Sequence, residues 1–171
     1  MLYKDTKLDG PKLYIGGWVD NLYEGHGTLE LNNGYRYEGN FKAGLKHGYG
    51  YARTENNSIY KGYYENGKRH GRGDYEDTQG FTYKGHWKNH KRYGKGIMTY
   101  RNDDTYDGTW VNNEEHGKGT YTFTSGNIYE GEFKEGKMTG EGVFTWATGR
   151  TYEGKFENGQ IADGQGKLTW P

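Results

Sequence analysis

The sequence lacks cysteine, which excludes disulfide bonds, thiolate metal sites and cysteine nucleophiles. Proline occurs only at Pro11 and Pro171, so the chain is neither a proline-rich linker nor a collagen. No segment approaches the roughly 18 consecutive apolar residues of a membrane-spanning helix. The N-terminal segment also lacks the apolar core of a secretory signal peptide. We therefore expect a cytoplasmic protein.

Aliphatic side chains are scarce. Leucine, isoleucine, valine and phenylalanine together account for 22 of the 171 residues, which is below the roughly 20% that usually separates folded from disordered chains. However, the formal net charge is zero and aromatic residues reach 17%, including 18 tyrosines. Because aromatic rings bury large areas, they can replace aliphatic residues in a core. The composition predicts a folded chain with an aromatic core.

A 23-residue period organises nearly the whole chain. The tripeptide Tyr-x-Gly begins at Tyr14 and returns at this interval until Tyr152, with an aromatic residue four positions later and a pair of glycines eleven and thirteen positions later. The last glycine pair comes one residue late, which indicates an insertion around residues 160–163. We divide the chain into an N-terminal half-hairpin or cap, 1–13, and seven repeats: 14–36, 37–59, 60–82, 83–105, 106–128, 129–151 and 152–171.

Each repeat has the residue pattern of a β-hairpin. Between Tyr129 and Lys134, apolar residues and glycine alternate with charged residues, which is typical of a half-buried strand. Dipeptides such as Asn66-Gly67 and Asn33-Gly34 favour the tight turns that join such strands. The glycines are expected on the aromatic face, covered by neighbouring rings. The prediction is an all-β protein: an elongated single-layer antiparallel sheet of tandem hairpins, about 14 strands, twisted into a trough or rod.

These residues resemble the membrane occupation and recognition nexus (MORN) repeat, whose pattern is approximately Y-E-G-x-W/F-x-x-G-x-x-H-G-x-G. The segment YEGNFKAGLKHGYG, from Tyr37 to Gly50, matches almost completely. The resemblance implies a groove that binds partner peptides or protomers, and also phospholipid binding. The family's histidine is present at His47, His70 and His116 but replaced by Glu24, Tyr93, Thr139 and Asp163; its first turn glycine is replaced by Asn21, His90 and Asn113.

The first candidate site is the aromatic face of the sheet. A single layer has no second layer to cover that face, and large exposed aromatic patches mark interfaces. The structural alternative is that these rings form the core and contact no partner. We predict a partner along an aromatic trough formed by Tyr37, Phe41, Tyr60, Tyr64, Tyr83, Trp87, Tyr106, Trp110, Tyr129 and Phe133.

The second candidate site is the fourth repeat, which has a net charge of +4 from six basic and two acidic residues. Three interpretations stay open: a solvated face, a docking patch for an acidic partner, and weak binding of anionic lipid. The last is considered because about 4–8 clustered cations are needed to bind such lipid. The predicted charged docking patch consists of Lys84, Lys88, Lys91, Arg92 and Lys95.

Catalytic and metal sites have little support in the sequence. Successive copies of His47, His70 and His116 should lie about 10 Å or more apart, too far for one metal ion, and structural hydrogen bonds at the turn are expected instead. The His-Gly-x-Gly segments lack the helix that a phosphate-binding loop requires. The only serines, Ser58 and Ser125, fall at turns between repeats. We expect no catalytic residues, no metal, no cofactor and no nucleic-acid partner.

The sequence therefore predicts a non-catalytic scaffold or adaptor for protein–protein interaction. Its partner would be a peptide segment or a second protomer, in a cytoskeletal or ciliary assembly by resemblance only. Because the sequence closes on Trp170 and Pro171 at the end of a strand, pairing of copies is a further expectation. The alternative prediction is a peripheral membrane adaptor that binds anionic phospholipid through the fourth repeat.

Overall fold

The computed structural model describes residues 10–162, Gly164 and 166–171. All regular elements in this part of the chain are strands, and the first fourteen hydrogen-bond to one another in chain order to form an antiparallel sheet. The strands are β1 (Pro11–Val19), β2 (Leu22–Leu31), β3 (Arg36–Lys42), β4 (Leu45–Arg53), β5 (Ile59–Glu65), β6 (Lys68–Glu76), β7 (Thr82–Lys88), β8 (Lys91–Thr99), β9 (Thr105–Val111), β10 (Glu114–Thr122), β11 (Ile128–Lys134), β12 (Lys137–Thr145), β13 (Thr151–Glu157), β14 (Gln160–Ile161) and β15 (Lys167–Thr169).

The predicted all-β single sheet of tandem hairpins is therefore confirmed. The count is fifteen rather than about fourteen because the last hairpin has its second strand in two pieces, β14 and β15, which both pair with β13. β14 lies within residues 160–163, where the one-residue insertion is predicted. The twist into a trough or rod stays a prediction. Of the predicted cap, residues 1–9 lie outside the described residues, as does Asp163, and Pro11 to Leu13 begin β1.

The chain divides into two compact units. The first unit comprises the described residues up to Thr78 together with Trp87–His90, and the second comprises Gln79–His86 together with Lys91–Pro171. The first unit thus holds most of repeats one to three, and the second unit holds most of repeats four to seven. Each unit has a ladder face, which carries the Tyr-x-Gly tyrosines, and a reverse face, which carries the alternate residues of the same strands.

The glycines of the ladder face lie beneath the tyrosine rings, as expected, but most of the cover comes from within the repeat. A Cβ atom at Gly39 would lie 2.6 Å from the hydroxyl oxygen of Tyr37, and one at Gly50 would lie 2.4 Å from the same oxygen. Gly39 and Gly50 are paired across β3 and β4. One tyrosine therefore covers a pair of glycines, on its own strand and on the next.

The first glycine of each pair does not lie on the aromatic face, so that part of the sequence prediction is wrong. Gly48 has a φ of +62° and forms part of a β-bulge opposite Asn40, and a Cβ atom there would point toward the Asn40 side chain on the reverse face. A left-handed residue is needed to restore the register, which favours glycine. The same φ region is found at Gly25, Gly71, Gly94, Gly117 and Gly140.

Candidate functional site

The ten rings of the predicted aromatic trough are packed inside the sheet. Each is 5% exposed or less, and most touch a ring of their own or the neighbouring repeat edge to face. They are Tyr37, Phe41, Tyr60, Tyr64, Tyr83, Trp87, Tyr106, Trp110, Tyr129 and Phe133. These ten rings, which we call the ladder, form the core of the chain and expose little surface to solvent. Partner contact along them stays a prediction, and the search for a binding surface moves to the residues around them.

The environment of Trp110 shows how the ladder is fixed. Its ring centroid lies 5.1 Å from that of Tyr106 at an interplanar angle of 87°, and its indole Nε1 donates a hydrogen bond to the Gly96 carbonyl oxygen at 3.0 Å. The Tyr106 hydroxyl donates to the Thr109 carbonyl oxygen at 3.0 Å. Burial raises the pKa of Tyr106 to about 12, so the hydroxyl remains a donor at neutral pH. The polar tips of the rings are thus satisfied within the sheet.

Basic side chains lie over the ladder at a position that the sequence analysis missed. Nine residues after the repeat tyrosine, Lys46, Arg69 and Arg92 place their cationic groups over buried rings. The guanidinium carbon of Arg69 is 4.3 Å from the centroid of Trp87, and that of Arg92 is 4.7 Å from Trp110. Burial lowers the pKa of Arg69. The recurrence of a basic residue at this position was visible in the sequence.

Arg92, a predicted member of the charged patch, also packs on a buried ring, and its role in docking stays a prediction. Besides covering Trp110, it donates a hydrogen bond from Nη2 to the Asn113 carbonyl oxygen at 2.7 Å. The other four predicted members are exposed: Lys84, Lys91 and Lys95 in the second unit, and Lys88 in the first. Their role in docking stays a prediction.

Two of the three turns that lack the family's glycine use their side chains to bind the preceding hairpin. Asn113 has a φ of +79°, and its side-chain oxygen accepts a hydrogen bond from the Arg92 backbone N–H at 2.8 Å. His90 has a φ of +70°, and its Nδ1 accepts from the Arg69 N–H at 3.3 Å. Burial and the neighbouring Arg69 lower the pKa of His90, which favours this neutral acceptor form. These departures from the repeat pattern have a structural reason.

The recurring histidines show no arrangement for a metal. His70 Nδ1 lies 3.4 Å from a Glu65 carboxylate oxygen. Among the described residues, no three histidine, aspartate or glutamate side chains converge on a position for a metal ion. No helix that could cross a membrane is found in the same part of the chain. The reading of His47 and His116 as structural turn residues stays a prediction.

A second row of rings lies on the ladder face of the second unit, at the side of the turns between repeats. Its centroids follow one another at 5.6 Å, 4.6 Å, 5.9 Å and 5.0 Å. All five rings are only half-buried, in contrast to the ladder. We call this the turn-side row, and its members are Tyr100, Tyr121, Phe123, Phe144 and Trp146. The sequence signal, an aromatic residue seventeen positions after the repeat tyrosine at Tyr100, Phe123 and Trp146, was not recognised.

The turn-side row is held in place by a hydrogen bond between Tyr121 and the buried Asp104. The Asp104 carboxylate accepts hydrogen bonds from the Tyr121 hydroxyl at 2.9 Å, the Thr124 N–H at 2.8 Å and the Asn102 side-chain amide at 2.8 Å. Burial alone would raise the pKa of Asp104, but the hydrogen bonds outweigh it and the pKa is lowered. A charged carboxylate therefore holds Tyr121 in place at neutral pH.

The reverse face of the first unit also carries exposed rings. Tyr49 and Tyr63 are 53% and 51% exposed and meet edge to face with centroids 5.5 Å apart. Lys61 lies over the nearby Tyr51 ring at 5.8 Å. This pair is a small surface feature rather than a row.

The family model of the MORN repeat matches the chain in seven consecutive segments: residues 14–34, 37–57, 60–81, 83–105, 106–128, 129–149 and 152–171. No curated protein matches the sequence. Two solved structures are similar to this chain. The first is the SAS-4 (dCPAP) TCP domain of Drosophila melanogaster in complex with a proline-rich motif of Ana2 (dSTIL), with 15% identity, coverage of 85% of this chain and 84% of that chain, and a TM-score of 0.48. The second is the wild-type TCP10 domain of Danio rerio CPAP, with 12% identity, coverage of 78% of this chain and 64% of that chain, and a TM-score of 0.45.

Proposed function

The chain belongs to the MORN repeat family, and we propose that it is a non-catalytic scaffold that binds a peptide segment of a partner protein. The observation that carries this proposal is the turn-side row of half-buried rings in the second unit. On the resemblance to the family, we place the scaffold in a cytoplasmic cytoskeletal or ciliary assembly.

The turn-side row has the composition of a binding surface. Aromatic and arginine side chains are enriched at protein interfaces, where rings bury large areas at a small cost in conformational entropy. Here Arg150 lies over Trp146 at 4.1 Å and extends the row with a cationic group. The buried ladder lies beside the row on the same face and holds it in a fixed position, so little ordering is needed when a partner binds.

The occupant that fits this surface is an amphipathic peptide. Its apolar side chains would cover the exposed parts of Phe123, Phe144 and Trp146, and an acidic group or a carbonyl oxygen would face Arg150. We thus still propose binding along an aromatic face, but we expect the contact at the turn-side row and not at the ladder rings. A second protomer is the competing occupant, and the mass of the protein in solution distinguishes the two.

The test replaces two rings by the residue that repeat two has at the same position, Thr54. Peptides selected by display on the purified wild-type chain would be measured by calorimetry against the double variant Phe123→Thr/Trp146→Thr. We expect binding to weaken by about 30-fold, because a central aromatic anchor typically contributes about 2 kcal/mol or more. Circular dichroism and thermal melting would verify that the sheet is retained.

The matched control is the double variant Tyr49→Thr/Tyr63→Thr, which removes two exposed rings from the reverse face of the first unit. It should bind the same peptides as the wild-type chain does. Equal affinity of the wild-type chain and of Phe123→Thr/Trp146→Thr would exclude the turn-side row, and failure to select any peptide would argue against a peptide scaffold.

The alternative function is a peripheral membrane adaptor that uses the fourth repeat. The observation in its favour is the exposure of Lys84, Lys88, Lys91 and Lys95. About 4–8 clustered cations are the usual requirement for anionic lipid. Of these lysines, Lys84, Lys91 and Lys95 belong to the second unit and Lys88 to the first. Co-sedimentation with phosphatidylserine vesicles at low salt tests it, and a chain that stays in the supernatant would exclude this function.

A further inference from the structure

A groove crosses the reverse face of the second unit, on the opposite side of the sheet from the turn-side row. Its volume is about 610 Å³, within the range of roughly 300–1,000 Å³ that binding clefts have. Its floor includes the backbone of Gly119, Gly131 and Gly142, where an added side chain would point to the tyrosine rings on the opposite, ladder face. The groove is separate from the surface proposed above because residues on opposite faces of a strand alternate.

Three carboxylates lie in one row along this groove. Asp107 is paired with Thr120, which is paired with Glu130; Glu130 is paired with Val143, which is paired with Glu153. The acidic residues therefore stand on β9, β11 and β13, and the uncharged Thr120 and Val143 stand between them. In the sequence they are the middle residues of three successive Tyr-x-Gly tripeptides, so the 23-residue period itself sets their spacing.

The charged side chains of the groove are unpaired within the part of the chain that the structure describes. The groove is lined by both signs of charge, with Lys95 and Lys118 beside the acidic row and Glu141 next to Val143. All these charged side chains are exposed, and none has a hydrogen bond or ion pair with another of the residues that the structure describes. The carboxylates are thus free to pair with cations supplied from outside.

The spacing of the row selects the conformation of an extended ligand. Neighbouring strands lie about 4.8 Å apart, so carboxylates on alternate strands repeat at about 9.6 Å. A polyproline II helix has three residues per turn and a rise of about 3.1 Å per residue, so every third side chain points the same way at intervals of about 9.3 Å. In a β-strand, residues three positions apart point to opposite faces, so a β-strand could not present the same series of cations.

We propose that this groove binds a partner segment in the polyproline II conformation that carries a lysine or arginine at every third residue. Three such cations, spread over seven residues, would face Asp107, Glu130 and Glu153. The residues between them would lie over Thr120, Val143 and the glycine floor. A polyproline II segment makes no internal hydrogen bonds and is ordered before it binds, which reduces the entropic cost of docking in the groove.

The test uses two synthetic peptides of equal composition and charge, each capped at both ends: Lys-Pro-Pro-Lys-Pro-Pro-Lys, and Lys-Lys-Lys-Pro-Pro-Pro-Pro, in which the cations are adjacent. Fluorescence anisotropy with the full chain at 0.15 M salt should show tighter binding of the peptide with the three-residue spacing. Equal affinity for the two peptides, or no binding of either, would overturn the proposal.

The matching variants of the protein neutralise the row. Each of Asp107→Asn, Glu130→Gln and Glu153→Gln should weaken binding of the spaced peptide by about 2-fold, and the triple variant by about 10-fold, as expected for exposed ion pairs. The control triple variant Glu38→Gln/Glu55→Gln/Glu157→Gln makes the same change in net charge outside the groove and should bind like the wild-type chain. If both triple variants lose affinity equally, the attraction is general and the groove has no role.

This experiment is independent of the one for the turn-side row. The double variant Phe123→Thr/Trp146→Thr should bind the spaced peptide with the wild-type affinity, because those rings lie on the ladder face. Loss of spaced-peptide binding in that variant would place the peptide on the ladder face and overturn the assignment to the groove.

Discussion

In repeats two and three, in the first unit, the position seventeen residues after the repeat tyrosine is polar, at Thr54 and Asp77, whereas in repeats four to six, in the second unit, it is aromatic, at Tyr100, Phe123 and Trp146. On the reverse face the contrast is inverted: the first unit presents Tyr49, Tyr51 and Tyr63, and the second presents a row of carboxylates. The ladder beneath is the same in both units. Positions that pack in the ladder are thus held constant by the core, and positions that face solvent are free to differ between the units.

The largest effect is expected where the two units are alike. Phe41→Ala in the first unit and Trp110→Ala in the second each remove a ring that is 3% exposed or less. Each should lower the free energy of unfolding by about 3–5 kcal/mol, because the cavity in a close-packed ladder cannot collapse. Urea denaturation followed by circular dichroism measures this loss. If Trp110→Ala unfolds like the wild-type chain, its ring is contact surface and the comparison between a constant core and variable surfaces is wrong.

A smaller effect of the same kind is expected at the covered glycines. Alanine at Gly50 or at Gly119 would place a Cβ atom within 2.5 Å of the Tyr37 or Tyr106 ring system. The tyrosine must then shift and lose its hydrogen bond to a backbone carbonyl, and we expect a loss of about 1–3 kcal/mol in both units. Gly34→Ala is the control for backbone strain alone, since its φ is +88° but no atom lies within 4 Å of its Cβ position. A loss at Gly119 or Gly50 no larger than at Gly34 would contradict the role of the rings.

The smallest effect is confined to the second unit and depends on pH. Asp104→Asn should cost about 1–2 kcal/mol at neutral pH because the carboxylate accepts several hydrogen bonds. The folded-state pKa of Asp104 is lowered, so its stabilisation is present above the unfolded-state value of about 3.9 and is lost as the pH falls through the folded-state pKa. Melting temperatures of the wild-type chain and Asp104→Asn should therefore differ at pH 7 and converge at the lowest pH at which the chain still folds.

The neighbouring Asp103→Asn is the control, since Asp103 is exposed in the same turn. It should melt like the wild-type chain at both pH values. A difference between wild type and Asp104→Asn that persists at the lowest pH would show that the carboxylate charge is not the cause.

Much of the fold could be predicted from the sequence because the period repeats the same local rules seven times. The alternation from Tyr129 to Lys134 gave the strand β11, and Glu135-Gly136 gave the turn with two positive φ angles that follows it. The bulge at Gly48 could not be recognised, because a glycine in a bulge and a glycine beneath a ring look alike in sequence. The position of Arg92 over Trp110 could not be predicted either, because it depends on how the strands of neighbouring repeats pair.

By itself, the sequence determined the number of hairpins, their order and the two residue types, tyrosine and glycine, from which the core is made, because strand alternation and turn chemistry act over a few neighbouring residues. Only the tertiary structure decided which rings stay half-exposed, which arginine covers a tryptophan and which carboxylates share a row. Those outcomes depend on register between strands 23 residues apart, and a pattern of residue types along one strand does not contain that register.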